Sequence, residues 1–117
     1  MAKHEYLVLN RFTPGGGGGD KPSPEAMQKM FAAFKEWMKT HEDEIVDFGD
    51  KLVPGGRVLS DGGVAEGPWV ESKEVVGGYM ILTADSYERA VEIMQAMPGG
   101  KRPGVSFEIR ELSGQTM

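Results

Sequence analysis

Two histidines and no cysteine stand in the 117 residues, which narrows the chemistry open to this chain. A thiolate nucleophile, thiolate metal ligands and a disulfide framework are all excluded. An imidazole held against a carboxylate can serve as a general base, and His41 with Asp47 or Asp50 is the one such combination on offer, so His41 and Asp47 are the candidate catalytic residues. The competing reading makes His41 a surface group at the end of a helix. Neither histidine stands at a ligand spacing, carboxylates such as Asp43 and Asp47 are the remaining donors, and no metal site is expected.

A second constellation could bind rather than transform. Glu66, Trp69, Lys73 and Tyr79 follow one another closely, offering a carboxylate, an indole to stack on, an ammonium for an anionic ligand and a phenol. Their structural reading is simpler: Gly67-Pro68 builds a turn, Trp69 anchors it, and Lys73 pairs with Glu71 or Glu74 at the surface. The run Gly15 to Gly19 lies between a strand and a helix, as phosphate-binding loops do. It is followed by Asp20-Lys21-Pro22, whereas a P-loop needs glycine before the lysine and Ser or Thr after it. The dinucleotide pattern would need glycine at Asp20. No cofactor is expected, and residues 14–22 are read as a flexible glycine-rich loop.

These groups must be positioned by a small number of elements. Tyr6-Leu7-Val8-Leu9-Asn10-Arg11-Phe12 is rich in β-formers and apolar on both faces, which predicts an inner strand. Ser23-Pro24-Glu25 is a helix start. From there Met27, Met30, Phe31, Phe34, Trp37, Met38, His41 and Ile45 recur at spacings of three and four, predicting a long helix whose apolar stripe is core and whose stop is Gly49. A short edge strand is expected within residues 52–59, interrupted or entered through Pro54. Asp61-Gly62-Gly63 signals a turn, leaving a loop or small hairpin before Trp69.

Val75 to Thr83 is the most apolar strand candidate, and its paired Gly77-Gly78 predicts a bulge or the close approach of another backbone. Asp85 with Glu88 three residues on predicts the start of a second helix, with Tyr87, Ala90, Val91, Met94 and Met97 facing inward. Val105 to Leu112 alternates as a half-exposed strand should.

The order is β-α-β-β-α-β, the split pattern of ferredoxin-like α+β folds: a four-stranded antiparallel sheet with two helices on one face. Residues 1–117 are read as a single domain. Two helices leave one sheet face uncovered, yet the inner strands are apolar on both, so a homodimer through that face is expected. A formal charge of −5 spread along the chain argues against nucleic acid as a partner. No stretch approaches the roughly 20 apolar residues of a membrane span, so no membrane partner is expected and the location is read as cytoplasmic.

The segment Gly67-Pro68-Trp69-Val70-Glu71-Ser72-Lys73-Glu74-Val75-Val76-Gly77-Gly78-Tyr79 resembles the YCII-related proteins, in particular the branch with a D-G-P-F signature. In that branch the signature is followed by E-x-K-E and then by G-G with an aromatic. Glu66 here replaces the aspartate and Trp69 the phenylalanine. The resemblance implies a dimeric α-β barrel of ferredoxin-like subunits, a cleft between sheet and helices, and a bacterial cytoplasmic setting. The family is similar to small barrel enzymes acting on hydrophobic or chlorinated aromatics, and its YCII branch carries a His-Asp pair proposed to be catalytic. Neither His4 nor His41 stands in a motif that places it as that histidine. Some relatives lie beside sigma-factor-like regulators. The expected function is therefore a homodimeric domain for a small organic ligand, and the alternative is a non-catalytic regulatory or protein-interaction module.

Overall fold

The computed structural model describes residues 3–13, 23–53, 55–66, 75–98 and 104–114. The expected glycine-rich loop at 14–22 and the segment holding Trp69 and Lys73 lie outside these residues. Four strands form one antiparallel sheet in the order β2-β5-β1-β6: β1 is His4–Phe12, β2 Ile45–Lys51, β5 Val75–Ala84 and β6 Val105–Glu111. The short strands β3 (Arg57–Ser60) and β4 (Gly63–Glu66) pair only with each other, in a hairpin turned by Asp61-Gly62. Helices α1 (Pro24–Thr40) and α2 (Tyr87–Gln95) complete the elements of the described residues.

Both helices lie on one face of the sheet. Val8 of β1 and Met80 and Leu82 of β5 pack with Trp37 of α1 and Ile93 and Met94 of α2, while Tyr6, Ala84 and Ala90 continue the core toward the start of β1. The apolar inner strands predicted from their β-branched and aromatic content thus sit at the centre of the sheet, as β1 and β5. Full burial of Tyr6, Val8, Leu82 and Ile93 contributes roughly 1.5–3 kcal/mol per aliphatic side chain.

Helix α1 starts where its cap is: the Ser23 hydroxyl accepts the Ala26 amide at 3.1 Å and Pro24 opens the first turn. Its end differs from the sequence expectation. The helix closes at Thr40 with His41 as its C-cap, and Ile45 begins β2 instead of extending the helical stripe. The acidic run Glu42-Asp43-Glu44 is unfavourable at the negative end of a helix dipole, which accounts for the earlier stop. Gly49 is consequently a bulge residue of β2 at φ 68°, between the pairs Asp47–Ile81 and Asp50–Tyr79.

The second strand occupies 45–51 rather than 52–59, and residues 57–66 make the separate hairpin. Helix α2 is capped by Ser86, whose hydroxyl accepts the Arg89 amide at 3.2 Å, not by Asp85. Ile93 replaces Val91 on its buried face, and Tyr87 and Val91 are exposed. The paired glycines behave as anticipated in both respects. Gly77 is the extra residue where Asn10 pairs with Gly78 but Arg11 pairs with Val76, and at Gly78 a Cβ would approach the Asp50 carbonyl to 3.0 Å.

Candidate functional site

The first half of α1 does not enter the core. Met27, Met30 and Phe31 stay exposed although they continue the stripe that buries Trp37, because the helix and the outer ends of β1, β5 and β6 enclose a cleft of about 420 Å³. Its aromatic lining comes from Phe31, Phe34, Phe48, Tyr79 and Phe107, and its thioethers from Met30, Met80, Met94 and Met97. Ring faces and polarisable sulfurs suit a flat, apolar guest, and unbranched methionines adapt to its outline. The stripe expected to be core is therefore core only in its second half.

The polar part of the cleft is set by strand register. Phe107 on β6 pairs with Asn10 on β1, Asn10 with Gly78 on β5, and Gly78 with Lys51 on β2, so these four residues form one row across the whole sheet. Alternation from the buried Tyr6 and Val8 puts Asn10 on the helix side, and pairing puts Phe107 and Lys51 there with it. Gly78, without a side chain, leaves bare floor between the Asn10 amide and the Lys51 ammonium. The Oδ1 atom of Asn10 is buried without a hydrogen-bond partner, and Lys51 makes no ion pair among the described residues. Asp50 borders the cleft too, but it pairs with Tyr79, so both side chains alternate toward the uncovered face. One Asp50 carboxylate oxygen accepts the Lys51 amide at 2.8 Å.

His41 lies elsewhere. Its Nδ1 is 3.1 Å from Glu44 Oε1, and the ring sits 5.6 Å from that of Trp37. The carboxylate beside it is Glu44, whereas Asp47 accepts the Gly49 amide in the β2 bulge. Glu44 in turn receives both Nε and an Nη of Arg89 at 2.8 Å, tying the start of β2 to α2. The Arg89 guanidinium, seconded by His41, holds the Glu44 carboxyl below the usual glutamate range against the opposing effect of burial. A carboxyl with a lowered folded-state pKa stabilises the fold above its unfolded pKa, and that contribution disappears as pH falls through the folded value. Arg89→Met removes the main cause. Urea unfolding of this variant between about pH 7 and about pH 3 should show lower stability at neutral pH and a smaller loss on acidification than wild type. An unchanged pH profile would show that the pair is stabilising nothing.

Of the other sequence candidates, Glu66 ends the exposed hairpin, 3.6 Å from Arg57, and does not line the cleft. Tyr79 borders the cleft in β5, on the strand face opposite Met80. Trp69 and Lys73 fall outside the described residues. Of the two binding candidates among the described residues, Tyr79 lines the cleft and Glu66 does not, and the structure adds Asn10, Lys51 and the α1 ring cluster, which sequence reasoning missed. A polar residue at the inner-facing phase of an apolar strand, Asn10 after Tyr6 and Val8, is the one local signal that pointed there. Among the described residues no group of three or more His, Asp or Glu could hold a metal ion, and no helix is long and apolar enough to cross a membrane.

Comparison with known proteins gives a family and little more. No curated protein matches the chain. Similar solved structures include an uncharacterised protein from Thermotoga maritima, 13% identical over 95% of this chain and 99% of that one, with a TM-score of 0.41; and 5-chloro-2-hydroxyhydroquinone dehydrochlorinase from Burkholderia phenoliruptrix, in complex with 2,5-dihydroxybenzoquinone, 17% identical over 89% and 90%, with a TM-score of 0.43. Both likenesses are too distant to transfer a site. The model of the YCII-related domain matches residues 5–113, from the first strand to the last, and the chain belongs to that family.

Proposed function

We propose that this chain is a small-molecule-binding domain that works as a homodimer, each subunit a ferredoxin-like half of an α-β barrel of the D-G-P-F branch, in a bacterial cytoplasm. The observation that carries the ligand reading is the cleft: about 420 Å³, walled by rings and thioethers, with its few polar groups gathered in one cross-strand row. That combination of apolar walls and few orienting groups is the usual anatomy of a ligand site, and the volume suits a guest of one or two rings. Binding, and not a named reaction, is what these residues support, since His41 and Glu44 lie outside the cleft lining.

The dimer reading draws on the other face of the sheet. Leu7, Leu9, Tyr79 and Ile81 alternate away from the helices there, and Glu108, bound by Arg11 at 2.6 Å and by Arg110 at 3.2 Å, borders them along β6. An apolar centre with a charged rim is the pattern of a protein interface. The exposed hairpin, with Val58, Leu59 and Val64 open to solvent, favours a second reading in which the chain docks another protein.

The test is methyl NMR of the full chain, with its dimeric mass checked by sedimentation at micromolar concentration, against a library of small aromatic and aliphatic metabolites. Binders should shift the methyl signals of Met30, Met80, Met94 and Met97 together. A folded dimer whose four cleft methyls respond to no compound would reject the ligand reading and leave the protein-docking one.

A further inference from the structure

The row Phe107, Asn10, Gly78 and Lys51 bears on what kind of molecule the cleft accepts, and the inference rests on the reading of that cleft as a ligand site. Adjacent strands are about 4.8 Å apart, so Asn10 and Lys51, separated by the one strand that carries Gly78, stand roughly 9–10 Å apart in backbone position. The floor between them is the flat backbone at Gly78, with Phe107 beyond Asn10 at one end of the row. A substituted ring laid on that floor meets an amide at one edge and an ammonium at the other.

The geometry points to an aromatic acid as the ligand class: a single planar ring carrying a carboxylate toward Lys51 and a hydroxyl or keto group toward Asn10. Each part of this answers a feature of the protein. Among the described residues, Lys51 is the cationic side chain that lines the cleft and it makes no ion pair, so an anion meets a charge that is not already neutralised. Asp50, the acidic neighbour that would oppose an anion, is paired with Tyr79 and turned by strand alternation toward the uncovered face. A buried Asn10 Oδ1 without a partner costs free energy that a ligand hydroxyl would recover. The thioethers and rings of Met30, Phe31, Phe34 and Met80 cover the ring itself. The absent Gly78 side chain is what leaves the ring its place, and a Cβ there would also press on the Asp50 carbonyl.

Titration of the full-length wild type and of Lys51→Met and Asn10→Leu with para-hydroxybenzoate, para-hydroxybenzamide and indole, followed through the methionine methyls, tests this. The acid should bind wild type at least about tenfold more tightly than the neutral amide, the value of one charge-assisted contact. Lys51→Met should abolish that preference while leaving indole and the amide unchanged, and Asn10→Leu should weaken both hydroxylated probes relative to indole. Lys51 is exposed on an edge strand, so its variant keeps the fold, and retained methyl dispersion confirms it. Equal affinity for acid and amide, or a preference that survives Lys51→Met, would overturn the aromatic-acid assignment while indole binding keeps the cleft reading intact. Failure of all three probes, indole included, to shift any cleft methyl would overturn both.

Discussion

Trp37→Ala should cost about 3–5 kcal/mol of unfolding free energy, the range of large aromatic truncations in a closed core. Trp37 is 5% exposed, stacks on Phe34 with ring centres 5.7 Å apart, and packs with Ile93 and Met94 of α2. Its indole also performs a task that no aliphatic residue could take over. Nε1 donates to the Ile93 carbonyl at 2.9 Å, in the last turn of α2, where carbonyls lack an intrahelical partner. The amide that would reach Ile93 along the helix, that of Met97, bonds to Met94 instead.

Trp37 is therefore both the plug between the helices and the cap of the second one. Trp37→Phe separates the two roles: it retains a ring and leaves the buried carbonyl unpaired, with an expected loss of about 1–3 kcal/mol. Equilibrium urea unfolding of both variants provides the comparison. A Trp37→Phe variant as stable as wild type would show that the hydrogen bond contributes nothing beyond the packing.

Gly49→Ala should unseat the outer half of β2. The residue sits at φ 68°, and a Cβ there would run into the Tyr79 carbonyl of β5. Backbone strain of this kind costs roughly 1–3 kcal/mol by itself, and the collision adds to it. Strand β5 is held on both sides, by β1 and by β2, whereas β2 is an edge strand, so β2 is the one that yields. The expected result is a lower thermal midpoint together with faster amide exchange at Leu52, whose N–H bonds to the Gly77 carbonyl at 2.9 Å. Because Lys51 lies between these two points, the variant should also weaken any aromatic acid in the cleft while a neutral ring is affected less. Unchanged exchange at Leu52 and an unchanged midpoint would mean that the bulge can rearrange without leaving the sheet.

The two substitutions mark different depths of legibility. Trp37 was readable as an inward residue because helical spacing is a local property: Phe34, Trp37 and Met38 share a face whatever they pack against. The start of α1, the start of α2 to within a residue, the two central strands and the glycine pair at 77–78 were readable for the same reason, since caps, β-branched runs and glycine positions act over a few residues. The end of α1 was not, because the stripe continues through His41 and Ile45 and only the acidic run between them argues for a stop. Nor was β2: Asp47, Gly49 and Asp50 hide its alternation, and the bulge that lets it pair exists only in contact with β5.

The candidate site was less legible than the fold. Glu66 ends an exposed hairpin, whereas Tyr79 borders the cleft from the strand face opposite Met80. Asn10, Lys51 and Gly78 come from three strands, and no spacing along the chain joins them. The sequence alone determined roughly where the two helices begin, which strands lie inside and which face of α1 is apolar. Which face half of α1 leaves open, and which polar groups meet across bare backbone at Gly78, was decided by tertiary structure, because strand register couples residues through hydrogen bonds between distant segments.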